Sequence, residues 1–351
     1  MPATDDRTKP ATLLDVAERA GVSRATASLV LRGTGRVSQP TRDRVFQAMT
    51  DLGYIYNRGA ASLRTRENNV IGVLVTTVTN PFFAEVIIGL EERLGELGYV
   101  CLIANTLNDT TRQDQLITFL QETSVAGVVM VPAFGTEPAA IDTLTARDRP
   151  LLFLTRRIGD TGNLYIGTDD ITGGRLATDH LIWHGCNTIT YLGGREDAIA
   201  RHDRIHGVRE SAANHGYNPD SLSFIASPTN ARGGLAAARE LLQSGTPIDG
   251  IICHSDTVAL GAYRAFHDAG LADTVKVVSF DNVDNAELIE PPLTTLSSNP
   301  RQLGRTAAQQ IYDELNNEEG TDTTLIEPEL IIRRSCGCPL PPAHGEPLDD
   351  R

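Results

Sequence analysis

From Thr12 onward, apolar residues recur as Leu13, Val16, Ala17 and Ala20, the i, i+3, i+4, i+7 spacing of a helix with one buried face. Thr12 and Asp15 stand three apart as a capping box at its start, and Gly21 ends it. Ser23 then caps a second short helix whose stripe is Ala27, Val30 and Leu31. A third helix begins after Ser38, carries Pro40 in its first turn, turns Val45, Ala48, Met49 and Leu52 to one side, and stops at Gly53. Two helices joined by Gly-Val-Ser read as a helix-turn-helix, and the three stripes together predict a small core over residues 11–56.

Beyond Glu67 the period changes. The apolar run Val70 to Val75 is followed by a helical pattern of Phe83, Val86, Ile87, Leu90, Leu94 and Leu97, which makes a βα unit. Further strands are predicted at Val100–Ala104, Gly127–Val131, Leu151–Leu154, Thr188–Leu192, Leu222–Ala226, Gly250–Cys253 and Val275–Phe280, most followed by an amphipathic helix. Alternation of this kind builds parallel, doubly wound sheets. Ten or so units exceed one compact sheet, so two lobes are expected, with a ligand cleft at the strand carboxyl ends where they face each other.

Charge separates the two regions. Residues 1–66 hold eleven Arg or Lys against six Asp or Glu, a net of +5, while the whole chain carries −14, which leaves −19 for the remainder. A basic head on an acidic body confines phosphate contact to one surface. On the second helix, Arg24, Ala25 and Leu29, with Ser28 at the side, face away from the apolar stripe. Arg24 has the fork to pair with guanine in the major groove, and Ala25 and Leu29 offer methyl contacts. Thr12, Ser23, Thr26, Arg36, Arg42 and Arg44 suit phosphate contacts that set register.

Other chemistry is sparse. No run of eighteen apolar residues and no apolar leader occurs, so a cytoplasmic protein without membrane contact is expected. Five cysteines are poor material for a disulfide framework and read as free thiols. Cys336-Gly337-Cys338 has no His or Cys pair nearby in sequence; His180, His184, His202, His206 and His254 read as surface or cleft residues, and neither metal nor cofactor is expected. The single tryptophan, Trp183, reads as a packing residue. No phosphate-binding loop, nucleophile elbow or dinucleotide fingerprint supports an enzyme.

Asp15-Val16-Ala17, Ala20-Gly21-Val22-Ser23, Thr26, Val37-Ser38, Thr41-Arg42, Leu52-Gly53-Tyr54 and Asn57-Arg58 together resemble the head of the lactose-repressor (LacI/GalR) family. Through the body the resemblance is carried by Asn80-Pro81-Phe82-Phe83, Gly173-Gly174, Arg204 with Gly207, Asp256 with Ala259-Leu260-Gly261, Phe280-Asp281-Asn282 and Pro292-Leu293-Thr294-Thr295. The resemblance implies a hinge helix and linker over residues 57–67, the helix matching Arg58 to Leu63, in which Asn57, Arg58 and Ala60 meet DNA and Leu63 wedges into the central base step from the minor groove. Gly59 departs from the usual branched residue there and weakens the hinge by roughly 0.5–1 kcal/mol relative to alanine.

For residues 68–338 the resemblance implies a periplasmic-binding-protein-like domain for effector binding and dimerisation. Its first lobe takes about 68–167 plus 298–328 and its second about 168–297 plus 329–338, with chain crossings near Gly167, Ser297 and Pro328. A disordered start at 1–10 and a flexible tail at 339–351 are expected to flank these domains. Arg204 and Asp281 are the implied grip on a sugar-like effector, with Phe83, Thr155, Arg156 and Ser255 around them. Thr155, Ser255 and Pro300 depart from residues common in relatives. The implied function is a homodimeric transcription regulator, a repressor, that binds a palindromic operator and senses a small polar ligand, a carbohydrate or related metabolite. Alternatives are control by a partner protein, a solute-binding protein or an α/β enzyme.

Overall fold

A computed structural model describes residues 11–55, 68–145, 149–159, 162–218, 221–317 and 323–338. The chain divides into two compact units, Met1–Asn68 and Asn69–Arg351. Among the described residues no helix is long and apolar enough to cross a membrane.

The first unit contains α1 (Leu13–Ala20), α2 (Arg24–Arg32) and α3 (Gln39–Leu52). Thr12 and Asp15 complete the capping box, with the Thr12 backbone N–H donating to Asp15 at 2.7 Å and the Asp15 N–H donating to Thr12 Oγ1 at 3.4 Å. Gly21, Gly33 and Gly53 close the three helices in the left-handed conformation. Val16, Ala17, Ala20, Ala27, Val30, Val45 and Ala48 form the core. Two expectations need correction. Leu52 is exposed, because α3 ends in the turn that follows it and its stripe has already left the core. Leu29 is half-buried rather than free on the outer face, since it lies against Gly35, where a Cβ would stand 3.3 Å from Leu29 Cδ2.

The second unit carries two six-stranded sheets. Its elements are β1 (Val70–Val75), α4 (Pro81–Glu96), β2 (Val100–Asn105), α5 (Thr110–Glu122), β3 (Gly127–Met130), α6 (Pro138–Thr145), β4 (Leu151–Leu154) and β5 (Leu164–Thr168). There follow α7 (Asp170–Trp183), β6 (Ile189–Leu192), α8 (Ile199–Asn214), β7 (Leu222–Ile225), α9 (Ala231–Ser244), β8 (Gly250–Cys253), α10 (Asp256–Asp268) and β9 (Lys276–Phe280). Last come β10 (Thr294–Ser297), α11 (Pro300–Leu315), β11 (Thr323–Ile326) and β12 (Glu329–Ile331). One sheet has the order β11-β5-β4-β3-β1-β2 and the other β12-β10-β9-β8-β6-β7. Every pairing is parallel except β12 with β10, which is antiparallel.

Strands β5, β10, β11 and β12 escaped the hydrophobic pattern. Leu-Tyr-Ile-Gly-Thr is short and interrupted by glycine, while Thr-Thr-Leu-Ser and Thr-Thr-Leu-Ile are short and rich in threonine, a polarity tolerated where the fold supplies partners. Thr295 donates to Asp256 at 2.7 Å and Thr294 to Cys336 Sγ at 3.1 Å, so both hydroxyls are satisfied in the interior.

Helices α7 and α8 cross so closely that glycine is obligatory. A Cβ at Gly174 would stand 2.1 Å from the carbonyl oxygen of Arg204, and one at Gly207 would stand 2.0 Å from that of Ile171. This crossing fixes where Arg204 leaves α8. Gly174→Val is therefore expected to cost about 1–3 kcal/mol or more in unfolding free energy, measured by urea denaturation. A loss below a few tenths would mean that the helices separate without penalty.

Candidate functional site

On the first unit, Arg24, Ala25 and Arg36 are exposed, while Thr26 and Ser28 are half-buried. Ser23 is the N-cap of α2: its hydroxyl oxygen accepts from the Thr26 N–H at 3.1 Å and lies 2.9 Å from Thr26 Oγ1. Thr12 is the corresponding cap of α1. Helix N-termini with such caps are natural seats for phosphate. Arg42, expected among the phosphate contacts, is half-buried, and its guanidinium donates to the carbonyls of Val37 (3.3 Å) and Gly35 (3.5 Å). These bonds tie it to the turn before α3. Asn57, Arg58, Ala60 and Leu63 lie outside the described residues.

The second unit holds a cavity of about 540 Å³ at the carboxyl ends of both sheets' strands. Phe83, Thr155, Arg156, Arg204, Ser255 and Asp281 all line it. Phe83 also packs on the core and meets Phe82 edge to face at 5.4 Å, so it is at once structural and accessible to a ligand. Thr155 has φ 56°, a conformation that a β-branched residue rarely adopts, and Asp281 has φ 109°. Both stand one residue beyond a strand end, one in each lobe, and both line the cavity.

Arg204 does not pair directly with Asp281. Its Nε donates to Asp170 Oδ1 at 2.7 Å, Nη1 donates to the His254 carbonyl, and the guanidinium lies 3.8 Å from the centre of the Phe280 ring. Asp170 and Arg204 side chains are only 11% and 10% exposed. Burial works against the Arg204 charge, but Asp170, Tyr191 and Asp281 outweigh it and raise its pKa. Asp170 had no distinguishing signal beyond its place at the start of a helix. Its pairing depends on the glycine crossing that brings α8 against α7.

Burial drives the Asp281 carboxyl well above the usual range, reinforced by Asp256 and opposed by Arg204. Asp256 itself is fully engaged below the cavity, accepting from Ser279, from Thr295 and from the Val283 N–H at 2.8 Å. Ser255 caps α10, accepting from the Val258 N–H at 3.2 Å and keeping its own O–H for donation. His254 accepts from or donates to Tyr191 at 2.7 Å and is held neutral by burial and by Arg204, Arg201 and Arg156.

Arg156 donates to Asn108 at 3.2 Å and to the Pro132 carbonyl, and stacks 3.5 Å from the Phe134 ring centre. Burial lowers its pKa to about 10. Arg195 approaches the same ring at 4.5 Å, so Phe134 is clasped by cations from both lobes. Phe134 and Arg195 were missed by sequence reasoning, because only the facing of the two lobes makes them neighbours.

Two family models match the chain: bacterial regulatory proteins, lacI family, over residues 12–57, and a periplasmic binding protein-like domain over residues 178–336. The HTH-type transcriptional repressor PurR of Photobacterium profundum is 31% identical over 334 residues, covering 93% of this chain and 98% of the relative. The chain belongs to the lacI family of bacterial regulatory proteins. Its fold matches a lac repressor dimer solved with operator and the anti-inducer ONPF, with a TM-score of 0.83, 26% identity, and coverage of 93% and 99% of the two chains. A transcriptional regulator CelR solved as a cellobiose complex matches with a TM-score of 0.70, 28% identity, and coverage of 93% and 99%. As a lacI-family member, the protein is a DNA-binding transcription regulator with a helix-turn-helix head and a two-lobed α/β body. The grouping of charge on the head and the cavity in the body are the two halves of that function.

Proposed function

We propose that the protein is a homodimeric repressor whose affinity for a palindromic operator is set by a small, hydroxyl-rich ligand, sugar or sugar-like, held between the two lobes. The observation that carries this reading is the polar lining of the cavity: the Arg204–Asp170 pair, the Asp281 carboxyl, and the hydroxyls of Thr76, Thr77 and Thr155 converge on one space. Among the described residues no donor meets the Asp281 carboxyl, so its hydrogen bonds fall to whatever enters the cavity. A solved relative that carries cellobiose supports the chemical class. Lobe closure around the ligand would alter the separation of the two hinge segments, residues 57–67 of each subunit, and so their ability to fold together on DNA.

A thermal-shift panel of sugars, polyols and nucleosides tests the reading. At least one compound is expected to raise the melting temperature of the wild type, with Asp281→Asn removing most of that rise while the unliganded protein still folds. A panel without any responder, at concentrations up to tens of millimolar, would leave control by a partner protein as the better account.

Self-association is supported by the edge strand β2, which exposes Val100 and Ile103, with Leu107 and Phe119 exposed on the elements that follow. An apolar sheet edge of this kind asks for a cover. Ile103→Asp is expected to shift the protein from dimer to monomer in analytical ultracentrifugation. Operator affinity should drop roughly 100-fold or more as two linked heads become single ones. A variant that stays dimeric would place the interface elsewhere.

A further inference from the structure

At the end of α7 farthest from the cavity, four side chains remote in sequence come together. His180 in the last turn of the helix and His184 at its C-cap stand four residues apart, and Cys336 and Cys338 follow β12 on the terminal segment. Their ligand atoms all lie within 4.8 Å of one another. His184 Nε2 is 3.0 Å from Cys338 Sγ across 154 residues of chain. His180 Nε2 is shielded from solvent and has no hydrogen-bond partner among the described residues. A buried imidazole nitrogen left without a partner is costly, which makes a ligand there more than a geometric option.

His180 and His184 are therefore not scattered residues: β12 returns the Cys-Gly-Cys segment to α7 and sets a pair of thiols opposite a pair of imidazoles. We propose that His180, His184, Cys336 and Cys338 form a tetrahedral site for a zinc ion that staples the terminal segment to the second lobe. Two nitrogens and two sulfurs are a structural zinc set. In a tetrahedron with Zn–N and Zn–S bonds of about 2.0–2.3 Å, ligand atoms are separated by roughly 3.3–3.8 Å, so the widest pair needs to close by about 1–1.5 Å at most and the His184–Cys338 pair, at 3.0 Å, to open by a few tenths.

The surroundings favour the metal in three ways. Gly337 has φ 88°, a bend that lets both thiols turn to the same side and that another residue would strain. Thr294 Oγ1, which accepts from the Arg333 N–H at 2.9 Å, donates to Cys336 Sγ at 3.1 Å, an outer hydrogen bond that orients a thiolate. The site sits at the carboxyl end of α7, where the helix dipole favours a cation, and two thiolates would offset the nearby Lys276 ammonium, which donates to the His184 carbonyl at 2.7 Å. Binding is balanced as Zn²⁺ displacing one proton from each thiol, two in all, while both imidazoles bind neutral. The ion would lie about 20 Å along α7 from Asp170, away from the ligand cavity.

The untagged full chain, purified under reducing conditions without chelator, is the material for the test. One zinc per chain is expected by mass spectrometry of metals after dialysis. Cobalt(II) in its place should give the visible d–d bands of tetrahedral coordination and a thiolate charge-transfer band. It should also quench the emission of Trp183, the one tryptophan, whose ring centre is 4.7 Å from that of His184. Cys338→Ser and His184→Ala, chosen because Cys336 is fully buried, should each weaken zinc at least about 100-fold, beyond the roughly 10–100-fold of outer-shell changes, with the far-ultraviolet circular dichroism unchanged. Well under one zinc per chain with no cobalt bands would overturn the site. So would undiminished binding in both variants, or a Cys336–Cys338 disulfide, detected as the loss of two hydrogens, in place of metal.

Discussion

Arg204→Ala is expected to lower the unfolding free energy by about 3–5 kcal/mol, because it strands the Asp170 carboxylate in the interior without its partner. The same change removes the donor to the His254 carbonyl, so two groups lose their bonds at once. Urea denaturation at neutral pH measures the loss, and the ligand-induced thermal shift should vanish with it. Pairing Arg204→Gln with Asp170→Asn removes both charges, and should recover a good part of the stability while leaving the ligand response absent. That contrast separates the two roles of the arginine, holding the lobe together and gripping the effector. A single-variant loss below about 1 kcal/mol would show that water reaches the pair freely.

Arg24→Ala is expected to weaken operator binding by about 1–3 kcal/mol, roughly 5- to 150-fold, with the loss concentrated at one base position in each half-site. Arg24 is the first residue of α2, exposed beside the Ser23 cap, so its guanidinium has reach into a groove without disturbing the core. Arg44→Ala is the control: an exposed phosphate contact should cost affinity evenly across sequences and reduce the salt slope by about one. Fluorescence anisotropy against an operator and its single-base variants, at several salt concentrations, distinguishes the two. If Arg24→Ala weakens all duplexes equally, α2 is not the reading helix.

Zinc and effector, if both bind, would act on opposite ends of α7. Asp170 at its start holds Arg204, and His180 and His184 at its end face the two thiols. One rigid helix of fourteen residues thus joins the cavity floor to the terminal staple.

Local chemistry explains what could be read without coordinates. The capping box of Thr12 and Asp15, the Ser23 cap, the glycine stops and the alternation of apolar runs with helical stripes are all short-range, since each depends on residues within one or two turns. They sufficed for a helix-turn-helix ahead of a doubly wound body, and the six effector candidates do line one cavity. Tertiary structure decided the pairings. Arg204 meets Asp170 rather than Asp281 because Gly174 and Gly207 let two helices touch. Trp183, read as a packing residue, is 76% exposed, because α7 turns that flank outward at its last turn. Threonine-rich β10 became a central strand because Asp256, Ser335 and Cys336 satisfy its polar groups. The meeting of His180 and His184 with Cys336 and Cys338 required an antiparallel strand to bring the chain back after some 150 residues. Spacing along a sequence carries no record of such returns, because the distance between two side chains across a fold is set by packing and not by the number of residues between them.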